Sequence, residues 1–231
     1  LPSHAVVKTG GEQGIHAVSA APYGSVSMLP VTYGYLLMLG AEGLKHVTEM
    51  AILNANYLAS SFEKLGFKIL FKGKQGRVGH EMIWDCSAFN KEYGISELDI
   101  AKRLMDFGFH APTLSFPVHG TLMVEPTESE PKEELDRFIE ALKTIREEMC
   151  EVAEGKADKT DNVLKNAPHT HKVLTADEWT HTYPRSKAAY PLPWVAENKF
   201  WPQVGRVDDG YGDRNLMCTC DPLYDYVNDE N

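Results

Sequence analysis

Histidine, threonine and glutamate side chains lie close together in the stretch from residue 108 to 130, which reads GFHAPTLSFPVHGTLMVEPTESE. His110, Thr113 and Glu125 could bind a polar ligand, and because imidazole in general titrates near neutrality, His110 could also transfer a proton. Neighbouring apolar residues should hold the stretch inward, so we expect these side chains and His119 to be partly desolvated. The alternative is a proline-rich connection into an ordinary strand, whose buried polar groups only satisfy one another.

A second polar group, Gly24, Ser25 and Ser27, lies in APYGSVS, just before an apolar run. This pattern predicts a tight turn at the start of a helix, where free backbone N–H groups favour a phosphate. The alternative is a turn that only caps the helix.

Other constellations are absent or incomplete. The sequence contains no GxSxG, Walker A, GxGxxG or HExxH motif. His169 and His171 have no carboxylate at a typical ligand spacing, so we predict no metal site. Cys218 and Cys220 favour two unpaired structural thiols, with a metal clip or a redox pair as alternatives.

Composition excludes several classes of function. The 231 residues carry a formal net charge of -10 without a recognisable basic cluster, which argues against nucleic acid as a partner. No apolar run reaches the roughly 18 residues needed to span a bilayer, so we expect no membrane insertion. Four scattered cysteines fit a reducing compartment.

The elements that position these residues can be predicted from periodicity. Residues 28–39 are apolar nearly all round, which predicts a buried helix, and residues 41–65 predict a second helix that ends before Gly66. Residues 67–72 and 78–85 predict a hairpin-like pair of strands around the turn KGKQG.

The following residues complete a compact α+β unit. Ser96 with Asp99 predicts a capping box, and the helix that it begins should end at Gly108. Residues 122–125 predict a third strand. Beyond it, Thr127 with Glu130, or Ser129 alone, should cap a long helix. The apolar stripe of that helix comprises Leu135, Phe138, Ile139, Leu142, Ile145, Met149 and Val152.

Residues 155–231 show little sustained periodicity. They are rich in proline and tryptophan, which predicts an extension wrapped over a larger body and held by aromatic side chains. We expect the Asp and Arg residues of GRVDDGYGDRN to form structural ion pairs.

Several motifs occur in one order along the whole chain: SAAPYGSVSMLP, AILNANYLA, VGHEMI, the stretch at 108–130, LKNAPHT, AAYPLPW and NKFWPQVGRVDDGYGDRNLMCTC. Together they resemble the C-terminal end of the glycine-cleavage P-protein family, the decarboxylating glycine dehydrogenases. The resemblance implies an α/β fold, the C-terminal part of a fold-type-I pyridoxal-phosphate-dependent transferase. It assigns residues 1–45 to the large cofactor-binding domain, 46–66 to a connecting helix, 67–154 to a small α+β domain and 155–231 to an irregular extension.

The resemblance also implies an activity and partners. Glycine would be decarboxylated with pyridoxal 5'-phosphate, and its aminomethyl group would pass to the lipoyl arm of H-protein. Gly24, Ser25 and Ser27 match a turn that in fold-type-I dimers commonly approaches the cofactor phosphate from the neighbouring subunit, and His110, Thr113 and Glu125 match a segment at the mouth of the active site. A homodimer is implied, in the mitochondrial matrix of a eukaryote or the cytoplasm of a bacterium.

Two departures from related enzymes shape these expectations. The His-Lys motif with a Gly-rich loop that holds the cofactor has no counterpart, since His171 and Lys172 lack the glycines. We therefore expect the cofactor lysine to lie before Leu1 and this polypeptide alone to be inactive. Residues 120–126 carry Leu122 and Met123 where related enzymes place a carboxylate-binding arginine, which favours an unclamped leaving carboxylate.

Two other functions stay open at this point. A non-catalytic interaction module could bind a partner enzyme half through exposed apolar faces. Another fold-type-I pyridoxal-phosphate enzyme is the further alternative, although the tail GDRNLMCTC is not general to that fold.

Overall fold

The computed structural model describes residues 10–15 and 24–216, where helices and short antiparallel strands form a mixed α/β arrangement. The longer helices are α1 (Leu29–Lys64), α2 (Ser87–Tyr93), α3 (Glu97–Asp106) and α4 (Lys132–Ala153). Four short helices follow, α5 (His171–Leu174), α6 (Arg185–Ala189), α7 (Pro193–Glu197) and α8 (Asp209–Arg214). The strands are β1 (Lys68–Leu70), β2 (Met82–Asp85), β3 (Thr113–Leu114) and β4 (Thr121–Val124).

The four strands form one antiparallel sheet in the order β1-β2-β4-β3. The predicted pairing of the first two strands is confirmed, but the second is shorter than expected because only Met82–Asp85 forms a ladder. Trp84 lies opposite Leu122, and Met82 lies opposite Val124. Since alternate residues share a face, these four side chains line one side of the sheet and enter the core.

Helix α4 is the central helix of the fold, with contacts to α1, α2 and α3. Most of its predicted apolar stripe is buried, and Ile139 packs at the edge of the core. Aromatic rings continue this core, since the centroid of Phe62 lies 5.4 Å from Trp84 and 5.9 Å from both Phe67 and Phe138. The amphipathic helix predicted from periodicity is therefore confirmed.

The predicted start of α4 is wrong. The helix begins at Lys132, after Pro131, and no side chain caps it. Thr127 and Ser129 instead share a hydrogen bond of 3.0 Å between their hydroxyls. Helix α1 holds the turn that precedes α4, because the side-chain amide of Asn54 donates hydrogen bonds to the carbonyl oxygens of Thr127 and Glu130.

Helix α1 contains both helices predicted for its range, and its backbone breaks at Gly40 with φ 60° and ψ -174°. The predicted burial of its first part is wrong within the described chain. Leu29, Val31 and Met38 are 63%, 64% and 81% exposed, because none of the described residues covers this apolar helix. Burial begins only in the second part, where Leu58 and Phe62 enter the core.

Helix α3 begins where the sequence predicts. The Ser96 hydroxyl accepts from the Asp99 N–H at 3.3 Å, and the Asp99 carboxylate accepts from the Ser96 N–H at 2.9 Å. This reciprocal capping box satisfies two N–H groups that have no partner within the helix.

The extension is attached to α3 through two buried carboxylates. Asp99 also binds Lys165 and Arg206, each at 2.7 Å, and Arg206 donates further to two carbonyl oxygens of the extension. Burial alone would raise the pKa of Asp99, but hydrogen bonds from Lys165, Ser96 and Arg206 hold it below its usual range. The ion pair expected of GRVDDGYGDRN is thus confirmed for Arg206.

The second carboxylate, Asp106, lies in a fully buried network. It accepts from the backbone N–H and the ring Nδ1 of His169, both at 2.7 Å, while His169 Nε2 lies 2.8 Å from the Tyr183 hydroxyl. Arg103 links Asp106 to Glu148 of α4. Burial opposes the charge of Asp106, yet His169 and Arg103 hold its pKa below the usual range.

Apolar contacts complete the attachment of the extension. Val163, Leu164 and Val195 belong to the main core, and the ring of Trp194 lies 6.2 Å from that of Phe109. Aromatic side chains therefore hold the extension, as predicted, alongside ion pairs that the prediction underestimated. The domain boundaries given above stay predictions.

Candidate active site

A cavity of about 420 Å³, here called the front cavity, lies between the segment after α3, the end of β4 and the first turns of α4. Its lining comprises Leu58, Gly108, Phe109, His110, Ala111, Pro112, Thr113, Met123, Val124, Glu125, Pro126, Glu130, Glu134, Leu135 and Phe138. The structure therefore brings together His110, Thr113 and Glu125, the three residues singled out from the sequence. Their individual roles stay predictions.

His110 is placed by the end of α3. Gly108 adopts φ +84°, and the helix closes with hydrogen bonds from Gly108 N to Met105 O at 3.0 Å and from Phe109 N to Leu104 O at 3.1 Å. This left-handed glycine turns the chain out of the helix. His110 consequently lies two residues beyond the turn, at the rim of the front cavity.

Thr113 and Glu125 are placed by the sheet. Thr113 pairs with Met123 across β3 and β4, and Glu125 follows β4 directly. The intervening loop is held by Ser115, whose N–H donates to Thr121 O at 2.8 Å and whose hydroxyl donates to Glu97 at 2.8 Å. The sequence did not predict β3, because a two-residue strand carries no periodicity.

The predicted desolvation of the polar residues is wrong. His110, Thr113, His119 and Glu125 are all exposed in the described chain. Apolar neighbours do not cover them, since Phe116 and Val118 of the same stretch are themselves 58% and 39% exposed.

The front cavity has an acidic lining. The carboxylates of Glu125, Glu130 and Glu134 border it, and Glu134 is paired with Arg137. No lysine or arginine belongs to its lining within the described residues. Such a cavity favours a cationic group over a free carboxylate.

His80 is a neighbour of the site that the sequence reasoning did not assign. Its Nε2 lies 3.8 Å from Glu125 Oε1, and both side chains are more than half exposed. The motif VGHEMI contains His80, but its pairing with a residue 45 positions later depends on the β2–β4 ladder. Only the tertiary structure shows this neighbour.

The turn at residues 24–27 lies apart from the front cavity. Gly24 has φ +79°, Ser25 and Ser27 share a hydrogen bond of 2.7 Å between their hydroxyls, and residues Val26–Met28 form a 3-10 turn that leads into α1. The structure does not bring these residues together with His110, since none of the three belongs to the lining.

The remaining candidates have other surroundings. Among residues 10–15 and 24–216, no three His, Cys, Asp or Glu side chains are grouped so that they could hold a metal ion. His171 lies with its ring 5.6 Å from that of Trp201. Cys218 and Cys220 fall outside the described residues. In the part of the chain described here, every helix is too short or too polar to cross a bilayer.

Comparison with known proteins accounts for almost the whole sequence. Residues 47–169 match the family described as glycine dehydrogenase, C-terminal domain. The chain is 60% identical over 227 residues to a glycine dehydrogenase (decarboxylating) of Flavobacterium johnsoniae, 55% identical to that of Bdellovibrio bacteriovorus and 56% identical to a mitochondrial one of Dictyostelium discoideum.

These alignments cover 98% of this chain and 23%, 24% and 23% of the three relatives. The chain thus spans about a quarter of the length of the relatives that it matches. The family match covers more than half of the chain, and it includes the front cavity and the carboxylates that anchor the extension. The chain belongs to the glycine dehydrogenase C-terminal domain family.

Proposed function

We propose that this chain is the C-terminal segment of a decarboxylating glycine dehydrogenase, a fold-type-I pyridoxal-phosphate enzyme, and that the front cavity forms one side of its active site. The observation that carries this proposal is the identity of 55–60% along 227 residues to enzymes of that name. The convergence of His110, Thr113 and Glu125 on one cavity supports the location of the site.

The lining of the cavity suits loss of a carboxylate. Met123 and Val124 of β4 stand beside Phe138 and Leu58, and the lining offers no cationic side chain among the described residues. An ion pair with arginine would stabilise the carboxylate of glycine before the reaction, whereas a lining of glutamate and apolar side chains without a cation favours its loss as neutral carbon dioxide. We propose that the carboxylate is left unclamped here.

We assign His110 as the group that donates or accepts a proton in the reaction. It lies at the rim of the cavity, exposed to solvent, so it can exchange protons with bulk water. An imidazole can both donate and accept a proton. Thr113 and Glu125 would orient the substrate by hydrogen bonding.

The turn at residues 24–27 fits the phosphate of pyridoxal phosphate. Its two hydroxyls are exposed, Ser25 caps no N–H group with its side chain, and a Cβ on Gly24 would meet no atom within 4 Å. Gly24, Ser25 and Ser27 would donate hydrogen bonds to the phosphate oxygens. The bound cofactor would supply an electron sink for the electron pair that stays on the α-carbon when carbon dioxide leaves.

The remaining parts of the proposal concern partners. The exposed apolar helix from Leu29 to Leu39 fits a segment that the rest of the enzyme covers, as expected for residues 1–45 in a large domain. We further propose a homodimer that transfers the aminomethyl group to lipoylated H-protein. It would work in the mitochondrial matrix or the bacterial cytoplasm, since both kinds of relative occur.

Exchange of the glycine carboxyl group with bicarbonate by the full-length enzyme tests the site. His110→Ala should lower the exchange rate by about 10²-fold or more, because a positioned acid-base group contributes that much. His119→Ala is the matched control, since His119 is equally exposed in the same stretch but does not line the cavity. Near-normal exchange by His110→Ala would remove His110 from the mechanism.

A further inference from the structure

Two cavities border the segment from Gly108 to Thr113, here called the cavity wall. The front cavity is lined by the whole segment, and a second cavity of about 510 Å³, here called the rear cavity, is lined by its first four residues. The rear cavity is lined by Lys102 and Met105 of α3, by residues 108–111 and by Phe200 of the extension. Besides the packing of the Phe109 ring against Phe138 and Trp194, the position of the wall depends on a few anchors.

Lys199 of the extension provides one such anchor. Its ammonium group donates to the backbone carbonyl oxygen of Asp106 at 2.7 Å. This carbonyl belongs to the last turn of α3, where no N–H group of the helix is left to bind it. The positive charge also suits the negative end of the helix dipole.

Phe200, the next residue, approaches the same turn. A Cβ placed on Gly108 would lie 3.7 Å from the Cβ of Phe200. The extension therefore touches the chain on both sides of Phe107, two to four residues before His110.

Lys199 is held in a half-buried setting. Burial lowers its pKa to about 8, although the charge of Asp106 opposes this shift and that of Arg103 adds to it. The amine is thus still mostly protonated at neutral pH, and its hydrogen bond to the carbonyl is charge-assisted.

We propose that Lys199 is a positioning residue for the cavity wall, which it fixes through the last turn of α3 so that His110 keeps its place at the rim of the front cavity. This inference rests on the proposed function only for its effect on catalysis. Its structural part, the anchoring of residues 108–113, stands on the contacts themselves.

Hydrogen exchange of the full-length protein, followed by mass spectrometry, tests the anchoring. In Lys199→Met, amides in a peptide that covers residues 107–114 should exchange about tenfold faster or more, because a hydrogen bond from a charged donor is lost. Lys199→Arg keeps a charged donor and should stay close to the unaltered protein. Lys187→Met is the matched control, since Lys187 ties the extension to Glu151 away from the wall.

Exchange of the glycine carboxyl group with bicarbonate, measured on the same variants, tests the effect on catalysis. We expect kcat of Lys199→Met to fall about tenfold with KM changed less than twofold, because a misplaced wall orients less well. Unchanged hydrogen exchange at 107–114, or an equal rise throughout α4, would overturn the positioning role. A local rise with unaltered kcat would support the positioning role and contradict the proposed function of the wall.

Discussion

Replacement of Arg103 by leucine should destabilise the protein more than any single surface change. Arg103 is fully buried and makes five hydrogen bonds, two to Glu148, one to Asp106 and one each to the carbonyl oxygens of Ala188 and Lys187. Leucine retains part of the volume but none of these donors. Two buried carboxylates and two carbonyls then lose their partner.

The loss of stability can be worked out from the contacts that remain after Arg103 is replaced. Glu148 is 3% exposed and has no other cationic partner among the described residues, whereas Asp106 keeps its bonds to His169. One uncompensated buried carboxylate costs about 3–5 kcal/mol, a large fraction of the stability of an ordinary domain. We therefore expect the free energy of unfolding to fall by about 3–5 kcal/mol.

Urea unfolding, followed by far-UV circular dichroism, measures this loss. Lys132→Met is the control, because its ion pair with Asp136 is exposed and its loss should leave the free energy of unfolding nearly unchanged. The double variant Arg103→Leu with Glu148→Leu should recover part of the loss, since no unpaired charge stays on α4. A loss below about 1 kcal/mol for Arg103→Leu, or a double variant at least as unstable as the sum of its parts, would refute the reasoning.

Two further predictions concern the exposed helix and the acid stability. Met38→Glu should change the free energy of unfolding of the 231-residue chain by less than about 0.5 kcal/mol, because Met38 is 81% exposed. In the full-length enzyme the same change should lower the free energy of unfolding by about 2 kcal/mol or more, because the rest of the enzyme would bury the new carboxylate. Equal small losses in both proteins would contradict the proposal that the rest of the enzyme covers this helix. Asp99 has a lowered pKa, so its stabilisation is present above the unfolded value of 3.8 and is lost as the pH falls through the folded value. In Asp99→Asn, the midpoint of urea unfolding should therefore fall less steeply as the pH is lowered than in the unaltered protein. An unaltered dependence on pH would argue against this role of Asp99.

Local signals in the sequence predicted local structure well. The capping box of Ser96 and Asp99 needs only three residues of separation, and the stripe of α4 repeats with the period of the helix. The front cavity could be foreseen only to the extent that His110, Thr113 and Glu125 lie in one stretch of the sequence, residues 108–130. Their grouping in a single cavity was predicted only through resemblance to a family.

Features that depend on distant partners could not be predicted. His169 binds Asp106 across 63 positions, and neither residue carries a pattern that points to the other. The exposure of residues 28–39 is a second case. The apolar composition of a helix predicts that it is covered, but it does not identify the segment that covers it. The predicted cap at Thr127 is wrong because the helix begins only at Lys132, and the Thr127 hydroxyl binds that of Ser129 instead.

The spacing of the two anchoring carboxylates restricts how relatives of this chain can vary in length. Asp99 and Asp106 are seven positions apart on α3, which is close to two full turns, so both face the extension. Inserting or deleting one residue between them would rotate one carboxylate by about 100° and separate it from its partners. We therefore expect length changes to be tolerated in the exposed turn at residues 72–77 and to be eliminated by selection between Asp99 and Asp106.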